Sequence, residues 1–408
     1  MRRAVVFLLA LGAAVGLGLA SACAGGAAPA GPAAAATAPV SEVAPEAAAP
    51  AARLPAGQDL YRPPASLVEA GPAGSLIWYQ GIVSPVAGSR AWRVVYRSRG
   101  LEGEPVAVSG LLIRPGGPAP AGGFPVVSWA IGTPGIADVC APSRYPPVVP
   151  RLARLLRAGF AVVATDGQGL GTRGPSHYLI GESEAHALLD AARAAGGIPG
   201  LPVARRVGLW GYSSGGHGVL AAAEAAAEYA PELEILGTAA VSPVVDVERF
   251  IAPVDDHPGF TFITVGAWAK VHGIDTRSIF TPRAQERVPR LRTECALTLA
   301  FDWPLWRRVD LLRHDLRTTS PWRELMADER AGEDPVEGPL LVIHGLHDSI
   351  VVPGPSLSLV RRQCRAGVAV TWSPIAGEDH FIADTTGAQV VDWLAARAAG
   401  VPASSTCA

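Results

Sequence analysis

A mostly parallel sheet flanked by helices, with a helical insertion in its second half, is the α/β architecture that this 408-residue chain predicts. Three observations carry it. Strand-length apolar runs alternate with helix-length segments along most of the chain. Residues 242–337 break that rhythm with no strand-like run. A Gly-x-Ser-x-Gly turn stands where a strand gives way to a helix. Alternation of this kind means parallel strands whose crossover helices cover both faces, and in such a sheet sites form at the carboxyl ends of the strands.

In chain order, Met1-Arg2-Arg3, the apolar run Ala4 to Leu19 and the small residues Ala20-Ser21-Ala22 read as a secretory signal peptide over 1–22. The run is too short for a membrane span. The next residue, Cys23, completes a small-small-Cys ending that resembles a bacterial lipoprotein processing box. Two outcomes stay open: a lipid on Cys23 that tethers the protein to a membrane, or simple secretion. Residues 23–55 are Ala, Pro and Gly with almost no large apolar side chain, too little to offset the entropy of ordering them, and read as a flexible tether.

The first part of the body, 56–241, opens with an antiparallel pair at Ala91–Tyr96 and Val106–Ile113. Strands follow at Phe124–Trp129, Phe160–Thr165, Val207–Trp210 and Leu236–Val241. The second part, 338–408, contributes Pro339–His344 and Val368–Trp372. Helix-like segments fall near 147–157, 181–195, 214–228, 354–364 and 384–399. An insertion of the size of 242–337 at the top of a sheet reads as a cap or lid. Its apolar pieces Phe260–Ala269 and Ala296–Trp306 either line an acyl-chain pocket or form the cap's own core.

Three positions carry the chemistry. Arg206 to Trp210 enters Gly211-Tyr212-Ser213-Ser214-Gly215, and a strong helix former leaves it. A strand entering and a helix leaving is the arrangement of a nucleophile elbow, which makes Ser213 the candidate nucleophile. The N–H of Ser214, at the helix start, is then one oxyanion donor. A serine hydroxyl needs an imidazole base and a carboxylate to orient that base. His380 lies on the loop after the last strand, and Asp348 lies just past Pro339–His344, giving the order Ser, Asp, His. The second oxyanion donor falls after Phe124–Trp129, where Thr133 offers an N–H, a hydroxyl or both, and Gly132 admits the substrate closely. Glu378 and Asp379 read as solvated loop charges, His217 as a packed helix residue, and Asp166 as structural.

The 34 basic and 36 acidic side chains give a net charge of −2 with no basic run, which leaves no footprint for nucleic acid. No Cys-x-x-Cys or His-rich cluster suggests a metal. Apart from Cys23, the cysteines are Cys140, Cys295, Cys364 and Cys407, an even set that favours two disulfides in an exported protein, with three pairings open.

Together these pieces resemble the secretory lipase family. The matching segments are Gly132-Thr133-Pro134-Gly135 with Ile136 to Ser143, Gly169-Leu170-Gly171-Thr172, Gly181-Glu182-Ser183-Glu184, the elbow at 211–216, and the loops around Asp348 and His380. Ile131 and Ser214 depart from the family pattern, where His and Gly are usual. The resemblance implies an α/β-hydrolase fold with a helical lid, no cofactor, a Ser-Asp-His triad and action on carboxylic esters or triacylglycerols. It also implies pairing of Cys140 with Cys295, leaving Cys364 to Cys407. The expectation is an exported or surface-tethered serine hydrolase acting on an ester or lipid. The competing readings are an acyltransferase with the same triad and an inactive binding protein.

Overall fold

The computed structural model describes residues 52–145, 149–301 and 306–407. The expected signal peptide, Cys23 and most of the expected tether lie outside the described residues. Among them the sheet has ten strands: β1 (Ala52–Arg53), β2 (Leu76–Ile82), β3 (Arg90–Arg99), β4 (Pro105–Arg114), β5 (Phe124–Ala130), β6 (Ala161–Thr165), β7 (Val203–Tyr212), β8 (Glu234–Val241), β9 (Leu340–Gly345) and β10 (Val370–Ile375). Their spatial order is β1-β2-β3-β4-β6-β5-β7-β8-β9-β10. From β6 across to β10 all neighbours run parallel, whereas β2, β3 and β4 join by antiparallel pairing.

Side chains alternate across the strands, so each strand feeds two cores. On one face Val126, Leu209, Ala240 and Val342 pack beneath α3 (Gly181–Ala194), α4 (Ser214–Tyr229) and α11 (Gly354–Arg365). On the other, Val127, Trp129, Trp210 and Leu341 pack beneath α2 (Leu152–Arg157) and α12 (Ala383–Ala398). Trp129 and Trp210, on adjacent strands, meet edge to face at 4.9 Å, a geometry that suits the ring quadrupoles.

Two features differ from the sequence reading. β2 is an additional strand, read as none because its first half is uniformly apolar and its second half exposed. What makes it a strand is burial of Ile77 and Trp78 against Leu60, Tyr61 and Val95. The expected tether also ends too late: Ala52 and Arg53 pair in parallel with Trp78 and Tyr79, and Leu54 donates to the Tyr79 carbonyl. An open edge offers backbone bonds that low apolar content does not forbid.

Between β8 and β9 lie α5 (Val247–Ile251), α6 (Pro258–Val271), α7 (Pro282–Gln285), α8 (Ala296–Phe301), α9 (Arg308–Leu311) and α10 (Trp322–Asp328). Phe262, Ile263, Val265 and Trp268 of α6 are buried together with Leu299 and Leu311, so the first apolar piece builds the insertion's own core. That core reaches the main body at Tyr178, Leu179, Ile180 and Val351, which sit on loops at the carboxyl ends of the strands. Disulfides join Cys140 to Cys295 and Cys364 to Cys407, the pairing that the resemblance implies.

Candidate active site

β7 ends and α4 begins at Ser213, whose φ of 56° and ψ of −120° lie outside the regions an L side chain prefers. Such a conformation costs about 1–3 kcal/mol and persists only where the surroundings enforce it. Here the Ser213 N–H donates to the Val241 carbonyl, and its own carbonyl accepts from Gly216 and Val244. The glycines on either side are required by contact. A Cβ on Gly211 would stand 2.0 Å from the Gly215 carbonyl oxygen, and one on Gly215 would stand 2.2 Å from that of Ala130.

The imidazole of His380, on the loop between β10 and α12, reaches Ser213 Oγ with Nε2 at 3.0 Å and Asp348 Oδ2 with Nδ1 at 2.7 Å. Asp348 lies three residues past β9. A carboxylate only accepts, so Nδ1 carries the proton and Nε2 is left to accept from the serine hydroxyl. All three residues are buried, with 5%, 4% and 5% of their surfaces exposed for Ser213, Asp348 and His380.

Burial by itself would raise the Asp348 carboxyl. Hydrogen bonds from His344 and His380, the charge His380 carries when protonated, and the Val351 N–H outweigh it and hold the group well below the usual carboxylate range. Its other oxygen, Oδ1, accepts the N–H groups of Ile350 and Val351. An acid held ionised in this way suits a partner that must become an imidazolium.

The loop after β5 passes close to Ser213. Gly132 has no room for a side chain, because a Cβ there would approach the Tyr212 ring to 2.9 Å and Ser213 Cβ to 3.3 Å. Thr133 Oγ1 lies 2.6 Å from the Tyr178 hydroxyl and 3.4 Å from Ser214 Oγ. Its hydroxyl therefore faces protein groups. Ser214 is the first residue of α4, with its N–H at the positive end of the helix. The loop is tied to the insertion by the Cys140–Cys295 bridge and by the Ala296 N–H, which donates to the Pro134 carbonyl.

Three residues near the triad escape the sequence reading. His344 Nε2 lies 3.1 Å from Asp348 Oδ2 and 2.8 Å from the Val351 carbonyl; its place at a strand end, four residues before the acid, is the signal for it. The Tyr212 hydroxyl donates to the His380 carbonyl, 3.1 Å away. Tyr178 has no local signal, since only the fold brings it to Thr133. Among the other side chains weighed, Glu378 and Asp379 are exposed, and His217 meets Glu184 at 2.6 Å. Asp166 is buried, raised to about 6 by that burial, and accepts from Ser109 Oγ and the Ser143 N–H. Among the described residues no group of three or more His, Cys, Asp or Glu side chains is arranged to hold a metal.

A cavity of about 70 Å³ lies behind Ser214, bounded in part by Ile131, Gln168, His177, Tyr178 and Glu184.

The profile of the secretory lipase family matches residues 149–406, well over half of the chain. The chain belongs to the secretory lipase family. A curated relative, a probable inactive lipase of Mycobacterium tuberculosis, is 26% identical over 383 residues, covering 86% of this chain and 83% of its own. Among solved structures, Candida antarctica lipase A in its closed state superposes with a TM-score of 0.74 at 21% identity, over 86% of this chain and 88% of that one. A rice cell wall degrading esterase from Xanthomonas oryzae follows with a TM-score of 0.68 at 20% identity, over 80% and 98%. For this family member those likenesses show an α/β-hydrolase fold. Family and fold together make it a lipase-like hydrolase.

Proposed function

We propose that the protein is an exported serine hydrolase that cleaves carboxylic esters, of lipase or esterase type, through an acyl-enzyme on Ser213. The observation that carries this reading is the continuous line of hydrogen bonds from Ser213 Oγ through His380 to Asp348. His380 Nε2 takes the hydroxyl proton as Oγ attacks the ester carbonyl. The negative charge on the carbonyl oxygen is met by the N–H groups of Ser214 and Thr133. Collapse of that adduct expels the alcohol, which leaves with the proton from His380. Water activated by His380 then attacks the acyl-enzyme, releasing the acid and restoring Ser213.

Residues 242–337 act as a cap over the site in this reading, supported by their packing on the Tyr178 and Val351 loops and their bridge to the oxyanion loop. Export is supported by the signal-like start and the two disulfides, and Cys23 is the point at which a lipid would hold the enzyme to a membrane.

The test is hydrolysis of p-nitrophenyl esters from acetyl to palmitoyl by the wild type and Ser213→Ala. Activity that disappears with the serine supports the mechanism, and full activity in the variant refutes it. One observation favours a second reading, an inactive binding protein: the mycobacterial relative is called inactive by name. The unbroken hydrogen bonds of this chain favour the first. Reaction of Ser213 with a fluorophosphonate probe separates them.

A further inference from the structure

We infer that Tyr178 is a positioning residue of the oxyanion hole, holding Thr133 in place opposite Ser214. The inference rests on the hydrolase reading above and names a side chain that the reaction scheme does not use. Thr133 comes from the loop after β5 and Ser214 from the head of α4, so no local backbone geometry fixes their distance. The Tyr178 hydroxyl holds the Thr133 side of that gap. It lies 2.6 Å from Thr133 Oγ1, while the direct Thr133 to Ser214 contact is long, at 3.4 Å. Burial pushes the phenol well above its usual range, so it stays a neutral hydroxyl over the working pH of the site.

The tyrosine is itself braced through its own carbonyl and through the N–H of the next residue. Its carbonyl accepts the Trp268 indole N–H from the insertion, at 3.1 Å. The next residue, Leu179, is fully buried with φ at 54°, a left-handed conformation unusual for leucine. Its N–H donates to Glu184 Oε1 at 3.0 Å, and the other oxygen of Glu184 meets His217 Nδ1 on α4, one turn past the nucleophile. Strain at a buried loop residue, locked by a partly buried carboxylate, marks a segment that the fold holds against its preference. What that segment delivers to the site is one hydroxyl.

Tyr178→Phe removes this hydroxyl and little else. Oxyanion donors act on the transition state, so misplacing them lowers kcat and leaves KM nearly unchanged. The expected loss is about tenfold, well short of the hundredfold or more that deleting a donor costs. Affinity for a trifluoromethyl ketone, whose hemiketal oxygen on Ser213 occupies the hole, falls by the same factor, while melting temperature and pH profile stay as in the wild type. Thr133→Val breaks the same contact from its other end. The double variant therefore loses no more than the worse single one.

Unchanged kcat and ketone affinity in Tyr178→Phe, beside an active wild type and a dead Ser213→Ala, overturn the inference and leave the hydrolase reading intact. Fully additive losses in the double variant overturn it too. A wild type that neither turns over esters nor binds the ketone overturns both.

Discussion

His344 donates from Nε2 to the same Asp348 oxygen, Oδ2, that receives the imidazole N–H of His380. Both neighbours of Nε2, the carboxylate and the Val351 carbonyl, are acceptors, so this nitrogen carries the proton. Nδ1 lies 2.8 Å from Ser356 Oγ at the start of α11, and the ring is fully buried. The acid is thus gripped by two imidazoles and two backbone N–H groups.

Replacing His344 by Phe leaves the Ser356 hydroxyl and the Val351 carbonyl buried without their partner. A loss of about 1–3 kcal/mol in stability is expected from each such group at most, read in urea unfolding. Because Asp348 also loses one of its donors, kcat falls with it. A variant as active as the wild type would show that His380 and the backbone orient the acid alone.

Ser213→Gly relieves the strained backbone at the elbow while deleting the nucleophile. Ester hydrolysis is lost, yet the protein gains about 1 kcal/mol of stability, because glycine takes a positive φ without penalty. Differential scanning calorimetry of this variant beside Ser213→Ala, which keeps the strain, provides the comparison.

The two disulfides part company in their effect on catalysis. Cys140–Cys295 ties the loop after β5 to the insertion, whereas Cys364–Cys407 pins the C-terminal residues near the start of β10, at the opposite end of the sheet from Ser213. Loss of the first, closing 155 residues against 43, costs about 1 kcal/mol more by loop entropy. Serine pairs at 140 and 295 lower both melting temperature and kcat, while those at 364 and 407 lower the melting temperature with kcat unchanged.

Glu329, just past α10, accepts the Gly181 N–H at 2.7 Å. Burial raises its carboxyl from the ordinary 4.5 to about 7, with His217 opposing the rise and Glu184 and Asp328 adding to it. In the folded protein the proton is kept to about pH 7, while the unfolded chain releases it near 4.5. Stability therefore declines as pH rises through that window. Glu329→Gln removes this contribution, so its melting temperature falls less between pH 5 and pH 8 than that of the wild type. Parallel curves for the two proteins would refute the assignment.

The order Ser213, Asp348, His380 was readable because each lies on a short loop directly after an apolar strand, where chain position fixes spatial position. The parallel core was readable for the same reason: β5, β6, β8 and β9 are runs buried on both faces over most of their length, and their composition shows it. β2 was not, since its strand character comes from Leu60 and Tyr61 packing on Trp78.

Local sequence therefore determined the parallel core strands, the elbow and which three side chains approach one another, because turn chemistry and apolar patterning act between neighbours in the chain. Tertiary structure decided what holds them. The hydroxyl contact between Tyr178 and Thr133 and the meeting of Glu184 with His217 join segments far apart in sequence. Their bonds exist only once packing has excluded water and left each buried polar group to find a partner from another element.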